Sequence, residues 1–328
     1  MDKTVYRILL IGAGNLGSRH LQGMAKTDQN LEILVVDPDP NALESANYRF
    51  EQMPMNAHVH SVRYYQNISE LDDKFDLAII ATNADIRRKV IENLVTSKKV
   101  KYLLLEKVVF QSVQDFKDII PLLEEMNIKS WVNCPRRMVP FFRHLRKNLK
   151  NNRITIRASG SKWGMASNAI HYFDLFAFLT RKKEIIINMI DLFKRNHNPK
   201  RPGFIEFGGR LVAKTKDGDI LEILDDDNKK IPWILSIESN KKKIEINQLE
   251  GLYKIYSNNN LIQVIEKPFY MPLQSELTHI LIEQVIKTGD LSLPTLEESF
   301  LLHKPMLEAF NKYLSNISDK TIIICPIT

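Results

Sequence analysis

The feature that most constrains the fold is an apolar run, Val5–Ile11, that stops at a glycine. The next residues read Gly12-Ala13-Gly14-Asn15-Leu16-Gly17, which is the pattern Gly-x-Gly-x-x-Gly. In a strand–turn–helix unit the first glycine permits a tight turn, the second lets a pyrophosphate approach the backbone, and the third lets the helix pack closely on the strand. The helix N-terminus then offers free N–H groups to the phosphates. The pattern therefore predicts a dinucleotide-binding site.

A second strand, Leu31–Asp37, ends in an acidic residue 20 positions after Gly17. A carboxylate in this place is expected to bind the adenosine ribose. Asp37 favours a free 2′-hydroxyl and repels a 2′-phosphate, and Pro38 follows it instead of an arginine. We therefore expect NAD as the cofactor, with NADP less favoured.

Strand and helix patterns alternate through residues 1–133, which indicates a doubly wound parallel sheet. The apolar strand Phe75–Ala81 ends in the polar loop Ala81-Thr82-Asn83, and the strand Lys101–Leu105 ends in Glu106-Lys107. Ligands bind beyond the carboxyl ends of such strands. A short strand, Ser130–Asn133, closes this predicted NAD-binding domain.

Residues 134–328 show a different pattern, with one helix near 168–180 and then short alternating strands. Turns are predicted at Asp217-Gly218, at Asp225-Asp226-Asp227-Asn228 and at Asn258-Asn259-Asn260. Two helices, Leu273–Thr288 and Leu296–Ser315, end the chain and are able to pack back on the first domain. We expect an α/β domain with a large, mostly antiparallel open sheet that binds substrate and mediates oligomerisation.

Composition and charge limit the kinds of partner and the cellular compartment that we expect for this chain. The net charge is +7, yet the lysines are dispersed and form no basic face with interleaved aromatic residues, so we expect no nucleic acid. No apolar run is long enough to span a membrane, no signal peptide is recognised, and the two cysteines are expected to be reduced, which together favour the cytoplasm. His58 and His60 have no carboxylate or cysteine beside them, and we expect no metal site.

These motifs resemble the Gfo/Idh/MocA family of oxidoreductases. The resemblance rests on the residues from Gly12 to His20, on Ala81-Thr82-Asn83, on Glu106-Lys107, on His171 with Asp174, and on the segment Leu293–Ser299. It covers the whole chain in the right order. It implies a Rossmann domain followed by an open-sheet domain that commonly forms the interface of a homodimer or homotetramer. It also implies NAD(P)-dependent hydride transfer at a sugar or cyclitol carbon.

Hydride transfer to or from a secondary alcohol also needs a group that gives or takes the hydroxyl proton. Lys107, at the end of a central strand, can stabilise negative charge on the reacting oxygen. His171 can exchange a proton near neutral pH. We predict these two residues to be catalytic, and we expect Ala81, Thr82, Asn83 and Glu106 to belong to the cofactor site.

The chain departs from the family at two places. The family usually has proline after the lysine, where this chain has Val108. Many members have an aspartate four residues before the histidine, where this chain has Ser167. Ser167 can hydrogen-bond a substrate hydroxyl but is no carboxylate base, which shifts the proton role to His171 or Lys107.

Further residues are predicted to contact the substrate. They follow the last strand of the first domain or lie around the His171 helix. They are Asn133, Arg136, Lys162, Trp163, Ser167, Asn168 and Asp174. Arginine can bind a phosphate or carboxylate with two hydrogen bonds, and tryptophan offers a sugar a stacking face.

The main hypothesis is an NAD-dependent sugar dehydrogenase or reductase that acts on a nucleotide-linked or acidic sugar. Because Ser167 replaces the aspartate, a catalytically degenerate NAD-binding sensor or scaffold is an alternative. A third is an enzyme that keeps its NAD bound and recycles it within one catalytic cycle, as in an epimerase.

Overall fold

The computed structural model describes residues 4–71, 74–149, 152–195, 202–227, 230–240, 242–257 and 260–328. Asn228, in the second predicted turn, and Asn258 and Asn259, in the turn predicted at Asn258-Asn259-Asn260, lie outside these ranges. The chain divides into two compact units. The first consists of Met1–Phe110, Gln114–Asn133 and Pro272–Leu296, and the second consists of Gln111–Val113, Cys134–Met271 and Glu297–Thr328.

The first unit is built on a sheet of six parallel strands. These are β1 (Tyr6–Ile11), β2 (Leu31–Val36), β3 (Val59–Tyr65), β4 (Lys74–Ile80), β5 (Lys99–Leu105) and β6 (Lys129–Val132). Their order in the sheet is β3-β2-β1-β4-β5-β6, with every neighbouring pair parallel. This is the doubly wound order of a dinucleotide-binding fold and confirms the predicted architecture of the first part of the chain.

Helices connect these strands: α1 (Asn15–Met24), α2 (Pro40–Glu51), α3 (Ala84–Ser97) and α4 (Val113–Glu125). Ile8, Leu9 and Leu10 of the central strand are fully buried, as are Ile79 and Ile80 of its neighbour. Successive residues of a strand point to opposite faces, so helices must cover both faces of this sheet. The continuous apolar strands of the sequence reflect that double burial.

A later helix, α7 (Gln274–Thr288), also belongs to the first unit. It packs on α1 at Gly23, where a Cβ atom would lie only 2.8 Å from the Cβ of Thr278. Beyond α7 the chain returns to the edge of the sheet, and Val132 donates its N–H to the carbonyl of Pro294 at 2.9 Å. The parallel sheet is therefore completed by a segment distant in sequence.

The second unit contains an eight-stranded sheet. Its strands are β7 (Ile154–Gly160), β8 (Ile186–Arg195), β9 (Glu206–Lys214), β10 (Ile220–Asp225), β11 (Ile234–Ser239), β12 (Lys242–Asn247), β13 (Leu252–Ser257) and β14 (Asn260–Pro268). They are ordered β14-β13-β12-β11-β7-β10-β9-β8. The β7–β10 pair is parallel and the other neighbouring pairs are antiparallel. The predicted large, mostly antiparallel sheet is confirmed.

Three further helices are α5 (Pro140–Asn148), α6 (Met165–Thr180) and α8 (Leu296–Ser318). Helix α6 is apolar nearly all round and packs on β9 and β10, with Phe173 and Phe176 fully buried. It begins at Met165, three residues before the predicted start. Helix α5, which the sequence interpretation left out, begins directly at Pro140, because proline suits the first helical turn.

Candidate functional site

The glycine-rich loop is held by contacts that leave no room for side chains at two of its glycines. Gly12 has a φ of +97°, and a Cβ there would lie 2.9 Å from the carbonyl carbon of Ala81. A Cβ on Gly17 would lie 1.8 Å from the carbonyl oxygen of Gly12. The first and third glycines therefore serve close backbone packing, as the motif predicts.

Gly14 differs from both, because a Cβ on it would meet no atom of the described residues within 4 Å. It is exposed and is the N-cap of α1, and no side chain caps the helix there. The N-terminus of α1, with exposed Asn15 and half-buried Leu16, thus presents N–H groups and a positive dipole end to open space. A pyrophosphate fits this arrangement, since anions bind at uncapped helix N-termini.

Asp37 follows β2 and lies against the glycine-rich loop. Its Oδ2 accepts the N–H of Ala13 at 2.7 Å, and its Oδ1 accepts the N–H of Asp39 at 2.9 Å. Two backbone donors thus fix the orientation of a half-buried carboxylate beside the loop. The structure brings Asp37 and the glycine motif together, as the sequence spacing predicts.

The loop Ala81-Thr82-Asn83 follows β4 and lies next to the glycine-rich loop. Ala81 donates its N–H to the carbonyl of Ile11 at 2.8 Å. The hydroxyl oxygen of Thr82 is buried and has no hydrogen-bond partner within the described part of the chain. Asn83 is exposed and is the N-cap of α3. These three residues lie beside Gly12 at the carboxyl end of the sheet.

Glu106, at the end of β5, is buried and forms the centre of a polar network. Its Oε1 contacts the Nε2 of His20 at 2.9 Å and accepts a hydrogen bond from the side-chain amide of Asn133. Burial opposes the charged form of Glu106, but the hydrogen bonds from His20 and Asn133 outweigh it and hold the pKa of this carboxyl below its usual range. Glu106 is therefore a buried carboxylate that joins α1 to the ends of β5 and β6.

The network extends to α7, which sequence reasoning had not connected with this site. Asn133 also donates to the side-chain oxygen of Gln274 at 2.8 Å, and the Nδ1 of His20 lies 3.1 Å from the hydroxyl of Thr278. Asn133, predicted to contact substrate, is 2 % exposed, and the N–H groups of its side-chain amide donate to Glu106 and Gln274. His20 is the sequence signal from which such a network could have been predicted, since a histidine on the buried face of α1 needs a polar partner.

Lys107 follows this network and is half-buried, and its peptide bond to Val108 is cis. It is close enough to Glu106 for its charge to favour the ionised form of that carboxyl. An ammonium group at the carboxyl end of β5 can donate hydrogen bonds to an oxygen that develops negative charge.

In the second unit, His171 lies on α6 and is half-buried. Asp174, three residues further on, is 1 % exposed and binds Arg137, with the Nη2 of Arg137 2.7 Å from its Oδ1. Burial raises the pKa of Asp174 to about 6, although the charge of Arg137 favours the ionised form. Arg137 also contacts Glu298 at 3.3 Å, so Asp174 belongs to an ion-pair network that holds α6 and α8 together.

Arg136 is 6 % exposed and lies over the ring of Tyr172, with its Cζ 4.7 Å from the ring centroid. Its Nη1 makes long contacts, 3.4 Å to the Oε1 of Gln248 and 3.8 Å to the sulfur of Met271. Its Nε has no hydrogen-bond partner, and no carboxylate among the described residues lies within ion-pair distance. A buried guanidinium with spare donors can bind an anionic group.

Trp163 is half-buried and belongs to an aromatic cluster. It stacks on Trp233 with the ring centroids 6.2 Å apart and meets Tyr172 edge-on. Its indole N–H donates to the carbonyl of Leu224 at 3.0 Å. Lys162, predicted to contact substrate, is exposed and has a φ of 55° in the turn that leads to α6.

Ser167 and Asn168 lie in the first turn of α6. Asn168 donates to the carbonyls of Trp163 and Gly164, both at 3.0 Å, and so stabilises the start of the helix. The hydroxyl of Ser167 donates to Glu206, which also accepts the N–H of Ala166 at 2.9 Å. Glu206, 7 % exposed on β9, is a carboxylate beside Ser167 that the sequence interpretation missed.

The described residues hold no group of three metal-ligating side chains. In the same part of the chain, no helix is long and apolar enough to cross a membrane.

Comparison with known proteins bears on this geometry. Residues 6–134 match the model of the Gfo/Idh/MocA oxidoreductase family, described as an NAD-binding Rossmann fold. The similarity to this family thus covers the first part of the chain, which is less than half of its 328 residues. The match covers the glycine-rich loop, Asp37 and the Glu106-Lys107 pair, and it agrees with the dinucleotide-binding fold that the first residues predict. No curated protein sequence is significantly similar to it.

Solved structures match over nearly the whole chain. An oxidoreductase from Agrobacterium radiobacter, in complex with NAD+, L-tartaric acid and magnesium, is 16% identical and covers 98% of both chains with a TM-score of 0.68. A UDP-N-acetylglucosamine 3-dehydrogenase from Acidithiobacillus ferrooxidans is 14% identical over 92% of this chain and 96% of its own, with a TM-score of 0.67. A 3-ketoreductase from Actinomadura kijaniata, in complex with NADP and TDP-benzene, is 13% identical over 93% and 97%, with a TM-score of 0.70. At these identities the similarity establishes a shared fold.

Proposed function

We propose that this protein is an NAD-dependent oxidoreductase that transfers a hydride to or from a secondary alcohol or ketone carbon of a sugar. The observation that carries the proposal is the open N-terminus of α1 at Gly14, beside Asp37 and in the same unit as Lys107. When bound, the nicotinamide of the cofactor accepts or supplies the hydride. The chain has to bind the dinucleotide, orient the sugar and move the proton.

NAD is the cofactor that Asp37 favours. Its carboxylate is held against the glycine-rich loop by the N–H groups of Ala13 and Asp39, so it cannot turn away from a nearby phosphate without losing both hydrogen bonds. A 2′-phosphate on the ribose would meet this negative charge. Repulsion between like charges therefore supports NAD over NADP.

Lys107 is proposed to donate a hydrogen bond to the reacting oxygen and to stabilise its negative charge. The residue directly before Lys107 is Glu106. Its buried hydrogen-bond network connects this end of β5 to α1, to the end of β6 and to α7. A lysine attached to so rigid a strand end samples fewer positions, which supports a catalytic role. Glu106 itself is proposed to act in the cofactor site by positioning.

His171 is proposed to give or take the hydroxyl proton, on the evidence of its own helix. It lies on α6, which is fixed by buried phenylalanines and by the Asp174–Arg137 pair. Asp174 is proposed to position this helix, since Arg137 already binds its carboxylate. Imidazole is the side chain best suited to proton exchange near pH 7.

A nucleotide-linked or acidic sugar is the proposed substrate class. Arg136 supports it, because a buried guanidinium with an unused Nε suits a phosphate or carboxylate. Two of the structural neighbours are named for a nucleotide sugar or hold a nucleotide conjugate, a UDP-N-acetylglucosamine 3-dehydrogenase and a 3-ketoreductase with TDP-benzene.

We also propose that the chain forms a homodimer or homotetramer in the cytoplasm through the sheet of the second unit. Arg157 on β7 lies between Glu222 and Glu238 of the two neighbouring strands, at 3.0 and 2.7 Å. Alternating charges of this kind can pair with a second copy turned by 180°. Light scattering of the purified protein would measure the assembly.

Turnover of NADH with a panel of nucleotide-linked and acidic keto-sugars tests the catalytic assignment. Replacing Lys107 or His171 by alanine should lower kcat by about 100-fold, as expected for loss of one charge-stabilising or proton-transferring group. Lys99→Ala, at the opposite end of β5, and His58→Ala, in an exposed loop, serve as matched controls. Wild-type kcat in Lys107→Ala and His171→Ala would reject the assignment of these two residues.

A further inference from the structure

Arg87 is a buried cation that none of the sequence motifs includes. It lies in the first turns of α3, four residues after the N-cap Asn83, and is 1 % exposed. Its neighbour Arg88 is instead half-exposed and forms surface ion pairs with Glu92 and Asp115, both at 2.9 Å. Two adjacent arginines on one helix therefore have entirely different surroundings.

The guanidinium of Arg87 joins the two loops that leave β4 and β5. Its Nη2 donates to the carbonyl of Thr82. Its Nη1 donates to the carbonyl of Val108 and, at 2.9 Å, to that of Val109. One planar group thus binds both the Thr82 loop and the chain directly after Lys107.

Two local rules oppose a cation in this place. Burial of a charge is costly unless strong hydrogen bonds compensate it, and a positive charge near a helix N-terminus meets the positive end of the dipole. A shorter apolar residue would fill the helix turn without either cost. Violations of several local rules at one residue are typical of functional sites.

We propose that Arg87 is a positioning residue that holds the Thr82 loop and the Lys107–Val109 segment in one fixed arrangement. The inference rests on the proposed oxidoreductase function and names a residue outside its motifs. The two terminal nitrogens of a guanidinium are held apart in one plane and can each bind a different loop, whereas the three N–H donors of lysine all radiate from a single nitrogen atom and cannot reproduce that geometry. The arginine is therefore required for its shape as well as for its charge.

The charge-conserving variant Arg87→Lys separates positioning from stability. We expect its kcat to fall about tenfold or more, because small displacements of a catalytic group are costly in rate. The Kd for NADH, measured by nucleotide fluorescence, should change less than about threefold, because the glycine-rich loop and Asp37 are intact. Arg88→Lys is the matched control and should keep wild-type kcat and Kd.

Hydrogen exchange supplies a readout that does not depend on turnover. In Arg87→Lys the backbone amides of both segments, 81–83 and 106–110, should exchange about tenfold faster or more, with α1 unchanged. Faster exchange in neither segment, or in only one, would overturn the proposal, as would wild-type kcat. Arg87→Met, which removes the charge as well, should show at least the same faster exchange in both segments; if it does not fold, Arg87→Lys decides. Absence of turnover in the wild-type protein would refute only the proposed function. The exchange rates would still test whether Arg87 holds the two segments together.

Discussion

Gly14→Ala and Gly17→Ala should impair different properties, cofactor binding and folding, although the two glycines belong to one motif. Within the described part of the chain, a Cβ on Gly14 meets no atom within 4 Å, whereas a Cβ on Gly17 would lie 1.8 Å from the carbonyl oxygen of Gly12. If the space over Gly14 is occupied by a pyrophosphate, Gly14→Ala should spare the fold and impair cofactor binding. Gly17→Ala should damage the fold itself.

The expected free energies follow from these contacts. Gly14 has φ −61° and ψ −166°, which alanine adopts without strain, and the loss of unfolded-state entropy stabilises by about 0.4–1 kcal/mol. Alanine is a poorer N-cap than glycine by a similar amount, so the net change in unfolding free energy is within about 0.5 kcal/mol. At Gly17 two backbone segments must separate, which costs about 3 kcal/mol or more, at the upper end of overpacking penalties.

Urea unfolding and NADH titration of both variants measure the two effects. Gly14→Ala should keep the wild-type midpoint and weaken NADH binding at least about tenfold, equivalent to about 1.4 kcal/mol. Gly17→Ala should unfold at clearly lower urea. Wild-type NADH affinity in Gly14→Ala would refute the reasoning, because the open space over Gly14 would then not be where the phosphates bind.

Two further predictions concern single carboxylates. Asp37→Ser should raise the affinity for NADPH relative to NADH by about tenfold, because the repulsion between the carboxylate and the 2′-phosphate is removed. Parallel titrations with NADH and NADPH measure the ratio of the two affinities. An unchanged ratio would contradict the NAD assignment. Asp174 has a pKa of about 6, above its usual 3.8, so its contribution to stability is fully present below pH 4 and is lost as pH rises through 6. The difference in unfolding free energy between wild type and Asp174→Asn should therefore fall by about 2.5 kcal/mol from pH 4 to pH 7, and a difference independent of pH would count against the raised pKa.

The first unit was largely predictable because its signals are local. The apolar run Val5–Ile11, the three glycines and the acid at the end of β2 each report a constraint that acts within a few residues of chain. The packing of Gly12 and Gly17 and the contact of Asp37 with Ala13 follow from that short segment. A doubly wound sheet with both faces covered then requires the continuous apolar strands that the sequence shows.

The missed features depend on partners far away in the chain. Helix α6 starts at Met165 because Asp225 accepts the N–H groups of Gly164 and Met165, and Glu206 accepts that of Ala166. No residue at the normal capping position announces this start, so the sequence pattern placed it three residues too late.

The same reason explains the polar network around Glu106. His20 and Asn133 bind that carboxylate from two other elements of the first unit, and Gln274 on α7 binds Asn133 in turn, so only the fold brings the network together. Arg87 was invisible for a related reason, since its partners are backbone carbonyls that carry no sequence signal.

Transfer of deuterium from NADH labelled at C4 of the nicotinamide to a keto-sugar tests the central claim most directly. Mass spectrometry of the products from a panel of nucleotide-linked and acidic keto-sugars should show one sugar that gains one deuterium at the former carbonyl carbon, with transfer strongly reduced in Lys107→Ala. Tight binding of NADH without deuterium in any sugar of the panel would contradict the proposed oxidoreductase function and would favour a dinucleotide-binding sensor or scaffold.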